Sequence, residues 1–153
     1  YTWSRVISSE NSIGLAMTSA RATNYRQASK SMAMATVDLM DLVEQRMEDM
    51  GEDDEVEAEA TYFISESGPW SFMAIQADGE VIGFEFIETE SSWRRPEAIA
   101  EYNAAANSDL EVLVIVPDEA FVEATEMIYR SGGVGITISS YHAMELVPRP
   151  LAS

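Results

Sequence analysis

Apolar and polar positions along this chain follow two different periods, which divide it into helices and strands. From Ala28 onward the apolar residues recur at intervals of three or four, the period of one face of a helix. These positions are Met32, Leu39, Val43, Met47 and Met50. The pattern stops at Gly51, a residue type that often ends helices. We therefore predict an amphipathic helix that ends at Gly51.

The next part of the chain has the period of two that is typical of strands. We predict one strand over Ala58–Ser65 and a hairpin over Ser71–Glu90, because Asp78-Gly79 between two apolar runs is a strong turn signal. Alternation in the second hairpin strand assigns its side chains to opposite faces. One face holds Val81, Gly83, Glu85, Ile87 and Thr89, and the other holds Ile82, Phe84, Phe86 and Glu88. A β-bulge near Gly83 would shift these assignments.

The last third predicts helices and strands in alternation. The elements are a helix from Pro96 to about Asn107, a strand at Leu110–Pro117, a helix from Asp118 or Glu119 to Arg130, a strand at Val134–Ser139 and a short edge strand at Met144–Val147. The order α-β-β-β-α-β-α-β predicts a single α/β domain with a mixed sheet flanked by helices. We assign residues 28–153 to this domain and residues 1–27 to a helical or irregular extension.

Composition adds a strong negative charge to this picture. The 153 residues carry a formal charge of −18, and Lys30 is the only lysine. Such a surface repels phosphate backbones, which argues against direct nucleic-acid binding. The acidity fits three explanations: solubility, a salt-rich cytoplasm, or imitation of DNA toward a basic protein. The chain has no cysteine, so we expect a reducing, cytoplasmic location.

Glu85 is the residue that most needs an explanation. A carboxylate in so apolar a strand is costly to bury unless another group pairs with it or a cation binds it. Glu85 is therefore the first candidate for a functional site.

The element order and four local segments resemble the restriction-endonuclease-like PD-(D/E)xK superfamily. The resemblance runs from about Ala28 to Pro150. The segments are AIQADGEVIGFEF, RRPEAIAEYNA, LEVLVIVP and GGVGITI. In that superfamily two carboxylates on neighbouring strands bind a divalent metal, usually magnesium, and a lysine activates the attacking water.

The resemblance assigns the family's positions only in part. Glu85 matches the glutamate that would bind the metal, Ile87 occupies the position of the lysine, and Ser71 falls near the aspartate. The motif is therefore degenerate. Glu44 on the first helix is an alternative second carboxylate, and a solvated surface position is the other interpretation of it.

Arg94 and Arg95 are the only basic cluster, and they precede the N-terminus of a predicted helix. Two guanidinium groups at such a place suit an anion. The alternative is that both arginines pair with neighbouring acids, of which this chain has many.

We expect a catalytically degenerate nuclease-fold domain that acts as a binding or regulatory module without a cofactor. A protein partner or self-association is expected in preference to nucleic acid, and no membrane association is expected. Two alternatives stay open. One is a Mg²⁺-dependent DNA endonuclease with a non-standard carboxylate set, and the other is an acidic DNA mimic that binds a basic protein.

Overall fold

The computed structural model describes residues 3–6, 37–52 and 55–150. Six strands form one mixed sheet in the order β1 to β6. The strands are β1 (Trp3–Val6), β2 (Val56–Ser65), β3 (Gly68–Ala77), β4 (Glu80–Ile87), β5 (Glu111–Val116) and β6 (Ile136–Ser140), and the helices are α1 (Leu39–Met50), α2 (Ala98–Ala106) and α3 (Phe121–Arg130).

Strand directions follow from the connections. The short turns around β3 give antiparallel pairs with β2 and β4, and the helical crossovers α2 and α3 make β4, β5 and β6 parallel. From residue 37 onward the element order is the predicted α-β-β-β-α-β-α-β, so the α/β class with a mixed sheet is confirmed.

The two faces of the sheet carry separate apolar cores. One core lies under α1, and it includes Leu42 and Met47 of the helix with Met73 and Ile87 of the sheet. The other core lies under α2 and α3 and is rich in aromatic rings, which include Phe72, Phe84 and Phe86. A helix layer thus covers each face, as the sequence predicted.

Strand β4 is not regular throughout: a bulge, left open by the sequence analysis, lies next to Gly83 and changes the facing of Val81. Ile75 pairs with Gly83 and Gln76 pairs with Val81, so Ile82 is the extra residue of β4. Val81 therefore packs in the aromatic core, and its predicted place on the face of Glu85 is wrong. The facings from Gly83 to Glu88 hold, because the register beyond the bulge is regular.

Two further segments differ from the sequence prediction. In place of the predicted edge strand at Met144–Val147, the first two residues lie in turns and the last two have no regular secondary structure. The N–H groups of Met144 and Leu146 donate to the carbonyl of Tyr141 at 3.1 and 2.8 Å, and Gln45 of α1 hydrogen-bonds both the N–H and the carbonyl of Val147 at 2.8 Å. Within the extension 1–27, Trp3–Val6 forms a strand parallel to β2. The four residues are too few for their alternation to predict it. Residues 7–27 and the predicted start of the first helix at Ala28 lie outside the described residues.

Candidate functional site

Helix α1 places one cation directly over the sheet. Asp38 caps its N-terminus by accepting a hydrogen bond from the N–H of Asp41 at 3.2 Å, and the helix ends at Gly51 as predicted. The buried stripe of the helix is formed by Leu39, Leu42, Val43 and Met47. Arg46 lies within this stripe by helical spacing, because it follows Leu42 by four residues and Val43 by three. The helix therefore points a guanidinium at the sheet.

Arg46 pairs with Glu85 in a two-pronged arrangement. Its Nε donates to Oε1 of Glu85 at 2.7 Å, and its Nη2 donates to Oε2 at 2.8 Å. Its Nη1 donates to Asp49 at 3.1 Å. The side chains of Arg46 and Glu85 are only 12% and 10% exposed. This fork-to-carboxylate geometry is the strongest type of protein ion pair.

The electrostatics of the pair follow from this geometry. Burial alone would lower the pKa of Arg46, but the hydrogen bonds and charges of Glu85 and Asp49 outweigh burial and raise the pKa above its ordinary value. The guanidinium is thus a fixed positive charge beside Glu85. Glu85 consequently has the neutralising partner that its apolar setting demands.

All three motif positions assigned by the resemblance lie on the face covered by α1. Ser71 pairs with Ile87 across the β3–β4 ladder, and Met73 pairs with Glu85. Ser71 is fully buried and donates to the carbonyl of Thr61 at 3.2 Å, while Ile87 is fully buried in the apolar core. The three positions assigned from the sequence therefore lie together on one face of the sheet, and only Glu85 carries a charge.

The alternative carboxylates lie elsewhere. Glu44 is exposed on α1, whereas Arg46, two residues further along, reaches Glu85. Asp78 occupies the hairpin turn with a φ of 54°, followed by Gly79 with a φ of 79°, which is the type I′ geometry that Asp-Gly favours. Within residues 37–52 and 55–150, no three His, Cys, Asp or Glu side chains are grouped so that they would hold a metal ion.

A cleft of about 460 Å³ opens beside the ion pair, at the carboxyl end of α1. Its apolar walls include Met50, Ile75 and Leu113, and its polar lining includes Glu85 and Glu111. Gly83 forms part of the floor, where β4 and β5 approach so closely that an added Cβ would lie 3.1 Å from the carbonyl oxygen of Glu111. The cleft therefore joins an apolar surface to a charged one.

The opposite face of the sheet holds a second ionic cluster, centred on Glu88. This residue lies at the end of β4 on the same face as Phe84 and Phe86, and its side chain is fully buried. Its Oε1 accepts hydrogen bonds from Ser92 at 2.6 Å and from Arg95 at 2.7 Å, and its Oε2 accepts one from Tyr102 at 2.6 Å. Three donors thus surround one carboxylate in the core.

Arg95 connects Glu88 to a second buried acid. Its Nε donates to Oε1 of Glu101 at 2.7 Å, and its guanidinium lies 3.6 Å from the ring centroid of Trp70. The other oxygen of Glu101, Oε2, is buried without a hydrogen-bonding partner. The cluster therefore contains one guanidinium and two carboxyl groups, with no water-facing side chain among the three.

This imbalance changes the titration of the cluster. Burial raises the pKa of Glu101 to about 7, against the lowering effect of Arg95 and with a further rise from Glu88. Burial and then the charge of Glu88 raise the pKa of Tyr102 well above its usual range. The pKa of Arg95 is also raised, because the nearby acids outweigh the effect of burial.

The two arginines proposed as an anion site are both paired with acids. Arg94 is half exposed, lies over the ring of Trp93 and forms a 2.8 Å ion pair with Glu123. Arg95 is fully buried between Glu88 and Glu101, so it presents no surface to an outside anion. This arrangement matches the alternative interpretation, in which both arginines neutralise neighbouring acids.

Sequence reasoning identified Glu85 but missed Arg46 and the Glu88 cluster. A signal for Arg46 existed, because it is a cation within the apolar stripe of α1. Glu88 carried a similar signal, since it continues the face of Phe84 and Phe86. No protein-family model matches this chain, and no curated protein matches its sequence. Among the described residues, no helix has the length and apolar character needed to cross a bilayer.

Proposed function

We propose that this chain is a nuclease-like domain that has lost metal-dependent catalysis and serves as a binding or regulatory module. The single observation that carries the proposal is the two-pronged pairing of Arg46 with Glu85. Metal-dependent phosphodiester hydrolysis needs several oxygen ligands around a cation. At this position a guanidinium already neutralises Glu85, while Ser71 and Ile87 offer no charge.

The energetics favour the paired state over metal binding. A divalent ion at Glu85 would have to break two charge-assisted hydrogen bonds and then lie close to the guanidinium. Each such bond contributes about 1.5–3 kcal/mol. Ser71 and Ile87, the other two motif positions, provide no second carboxylate to offset that loss.

The cleft supports the binding part of the proposal. Its volume of about 460 Å³ falls in the range of ligand pockets, about 300–1,000 Å³. Apolar walls beside a few charged groups are the usual composition of such pockets. A module without catalysis can therefore still recognise a small group or a side chain at this place.

Acidic residues on both sides of the sheet favour this module over a DNA mimic. Ala58 and Ala60 of β2 pack under α1, so the exposed Glu57 and Glu59 lie on the opposite face. Glu44 is exposed on α1 itself. A mimic of one DNA strand would instead array its acids on one side.

The decisive test compares wild type with Glu85→Gln in Mg²⁺ and Mn²⁺. Bound metal at about 10 mM and a Kd of about 1 mM would stabilise the folded protein by about 1.4 kcal/mol. We expect divalent ions to shift the thermal midpoint of both proteins equally, because only the general negative charge responds. We also expect neither protein to cleave plasmid DNA.

The proposal is wrong if wild type cuts DNA in a metal-dependent way and Glu85→Gln abolishes the cut. Glu44→Gln is the matched control, because it removes an exposed carboxylate from the same region. A metal-induced stabilisation that is specific to wild type and to Glu44→Gln would also overturn it.

A further inference from the structure

Strand β6 forms one end of the sheet. It pairs with β5 along one side, and among the described residues no strand pairs with its other side. An edge strand presents a row of N–H and C=O groups that act as a template for another strand. The outer side of β6 is therefore a candidate surface for pairing with a further strand.

Proteins usually protect such edges, and the shortness of β6, with five residues, is one such device. The strand lacks the lysine, proline, inward charge or β-bulge that are the other common ones. The strand reads Ile-Thr-Ile-Ser-Ser, and its register with β5 is unbroken from Ile136 to Ser140. A regular, uncharged strand rich in β-branched residues is well suited to pair with another strand.

The charge distribution indicates which molecule would supply the pairing strand. The whole chain carries −18, yet the stretch from Met127 to Met144 contains no acidic residue and includes Arg130 and His142. Two copies of this chain repel each other over most of their surfaces. Strand β6 and the residues that flank it in sequence therefore add no negative charge to a contact at this edge, and Glu111, which lines the same cleft as Thr137, is an acid close by.

We propose that two copies of this chain associate through antiparallel pairing of their β6 strands about a twofold axis at Ile138. This arrangement joins the two sheets edge to edge and places Ile138 opposite its own counterpart. It also places Thr137 of each copy opposite Ser139 of the other. Cross-strand Thr–Ser hydrogen bonds and β-branched contacts stabilise such pairs. In this closed isologous dimer, the free β6 edges of the two copies pair with each other.

Salt gives this association a distinctive signature. Raising the ionic strength from about 0.1 M to about 1 M shortens the screening length from about 10 Å to about 3 Å. Repulsion between two acidic copies then falls, so the dimer becomes tighter. Binding of a basic partner would change in the opposite direction. The association requires no catalytic chemistry, so its test is separate from that of the proposed function.

Sedimentation velocity of the full chain over a range of concentrations tests the proposal. We expect a monomer–dimer equilibrium whose Kd falls by about tenfold between low and high salt, which corresponds to about 1.4 kcal/mol. Thr137→Asp should raise the Kd by at least about tenfold, because the two introduced carboxylates lie diagonally across the new ladder, about 7–8 Å apart, and repel each other. A wild-type protein that is monomeric under all these conditions overturns the proposal.

Val122→Asp is the matched control. Val122 is 68% exposed on α3, so the substitution adds the same charge at a surface away from β6. We expect its dimer Kd to equal that of wild type. If Val122→Asp dissociates the dimer and Thr137→Asp does not, the interface lies on α3 and the proposal is wrong.

Single cysteines provide an independent measurement of the register, since the chain has none of its own. Directly opposed strand residues have Cα atoms about 4.5–5.5 Å apart, which lies within the range a disulfide can bridge. Ile138→Cys should therefore cross-link to itself under oxidation, much faster than Thr137→Cys or Val122→Cys. Equal rates for the three variants, or no cross-link at position 138, would overturn the proposed pairing.

Discussion

The two ionic clusters on β4 lie only three residues apart along the strand, yet they have different physical roles. Glu85 pairs with Arg46 under α1, beside an open cleft, and both side chains keep some contact with water. Glu88 lies on the opposite face, where it shares Arg95 with Glu101 and none of the three side chains reaches water.

The difference shows that a carboxylate in a strand is not by itself a sign of catalysis. At the edge of the core, Glu85 and Arg46 balance one acid with one guanidinium, and Asp49, the second acid that contacts Arg46, is 47% exposed to water. The Glu88 cluster buries two acids with a single cation, so its stability depends on hydroxyl donors to Glu88 and on the raised pKa of Glu101. We therefore expect the buried cluster to govern folding and the pair at the cleft to govern what the surface recognises.

The largest expected effect comes from removing the cation of the buried cluster. Arg95→Met leaves two acids in the core without their guanidinium, and we expect a loss of about 3–5 kcal/mol in the free energy of unfolding, measured by urea denaturation. Arg94→Met is the control, because the Arg94–Glu123 pair is exposed and its loss should cost at most about 1 kcal/mol. Equal losses for the two variants would contradict the distinction.

The next effect concerns pH and Glu101. Its pKa is about 7 in the folded protein, against an ordinary value of 4.5. Between these values the folded state binds more protons than the unfolded state, so the stability from this group is present below pH 4.5 and is lost as the pH rises to about 7. The slope is about 1.4 kcal/mol per pH unit, so the total over this range is on the order of 3–4 kcal/mol.

Glu101→Gln isolates this contribution. The variant has no titrating group at position 101, so its free energy of unfolding should fall less steeply than that of wild type between pH 4.5 and 7. Parallel pH profiles for the two proteins would show that Glu101 is ionised throughout.

The smallest of the three effects is expected at the cleft. Arg46→Met removes two charge-assisted hydrogen bonds to Glu85 and one to the exposed Asp49, but both acids keep access to water, so we expect a loss of about 2 kcal/mol. The double variant Arg46→Met with Glu85→Gln should recover part of that loss, since the unpaired charge is gone. A loss as large as that of Arg95→Met would remove the distinction between the two clusters.

The sequence was sufficient for the elements that depend on local patterns. The hairpin followed from Asp78-Gly79, and the end of α1 followed from Gly51. The bulge at Ile82 was only a possibility left open by the sequence, and the regular alternation that we predicted is wrong at Val81. The prediction of an edge strand at Met144–Val147 failed, because the N–H groups of Met144 and Leu146 form turn hydrogen bonds and Gln45, about one hundred positions earlier, binds the backbone of Val147.

Of the two residues in the ion pair at the cleft, only the acid was predictable from the sequence. Glu85 is conspicuous among apolar neighbours, but its partner Arg46 lies 39 residues earlier. Their contact depends on how α1 crosses the sheet, which no local pattern specifies. Arg95 was noticed as part of a basic pair, yet its burial follows from the packing of α2 and Trp70 around it.

Tyr141 has a consequence for how the chain is held together near its carboxyl end. Its ring packs in the core under α1, while its hydroxyl donates to the backbone carbonyl of Glu88, whose side chain belongs to the other face. The turn that begins at Tyr141 thus holds the carboxyl end of β4, which is the end of the hairpin away from Asp78-Gly79, from the side covered by α1. Truncation of the chain before Tyr141 would therefore destabilise the packing on both faces of the sheet, even though the removed residues contain no member of either ionic cluster.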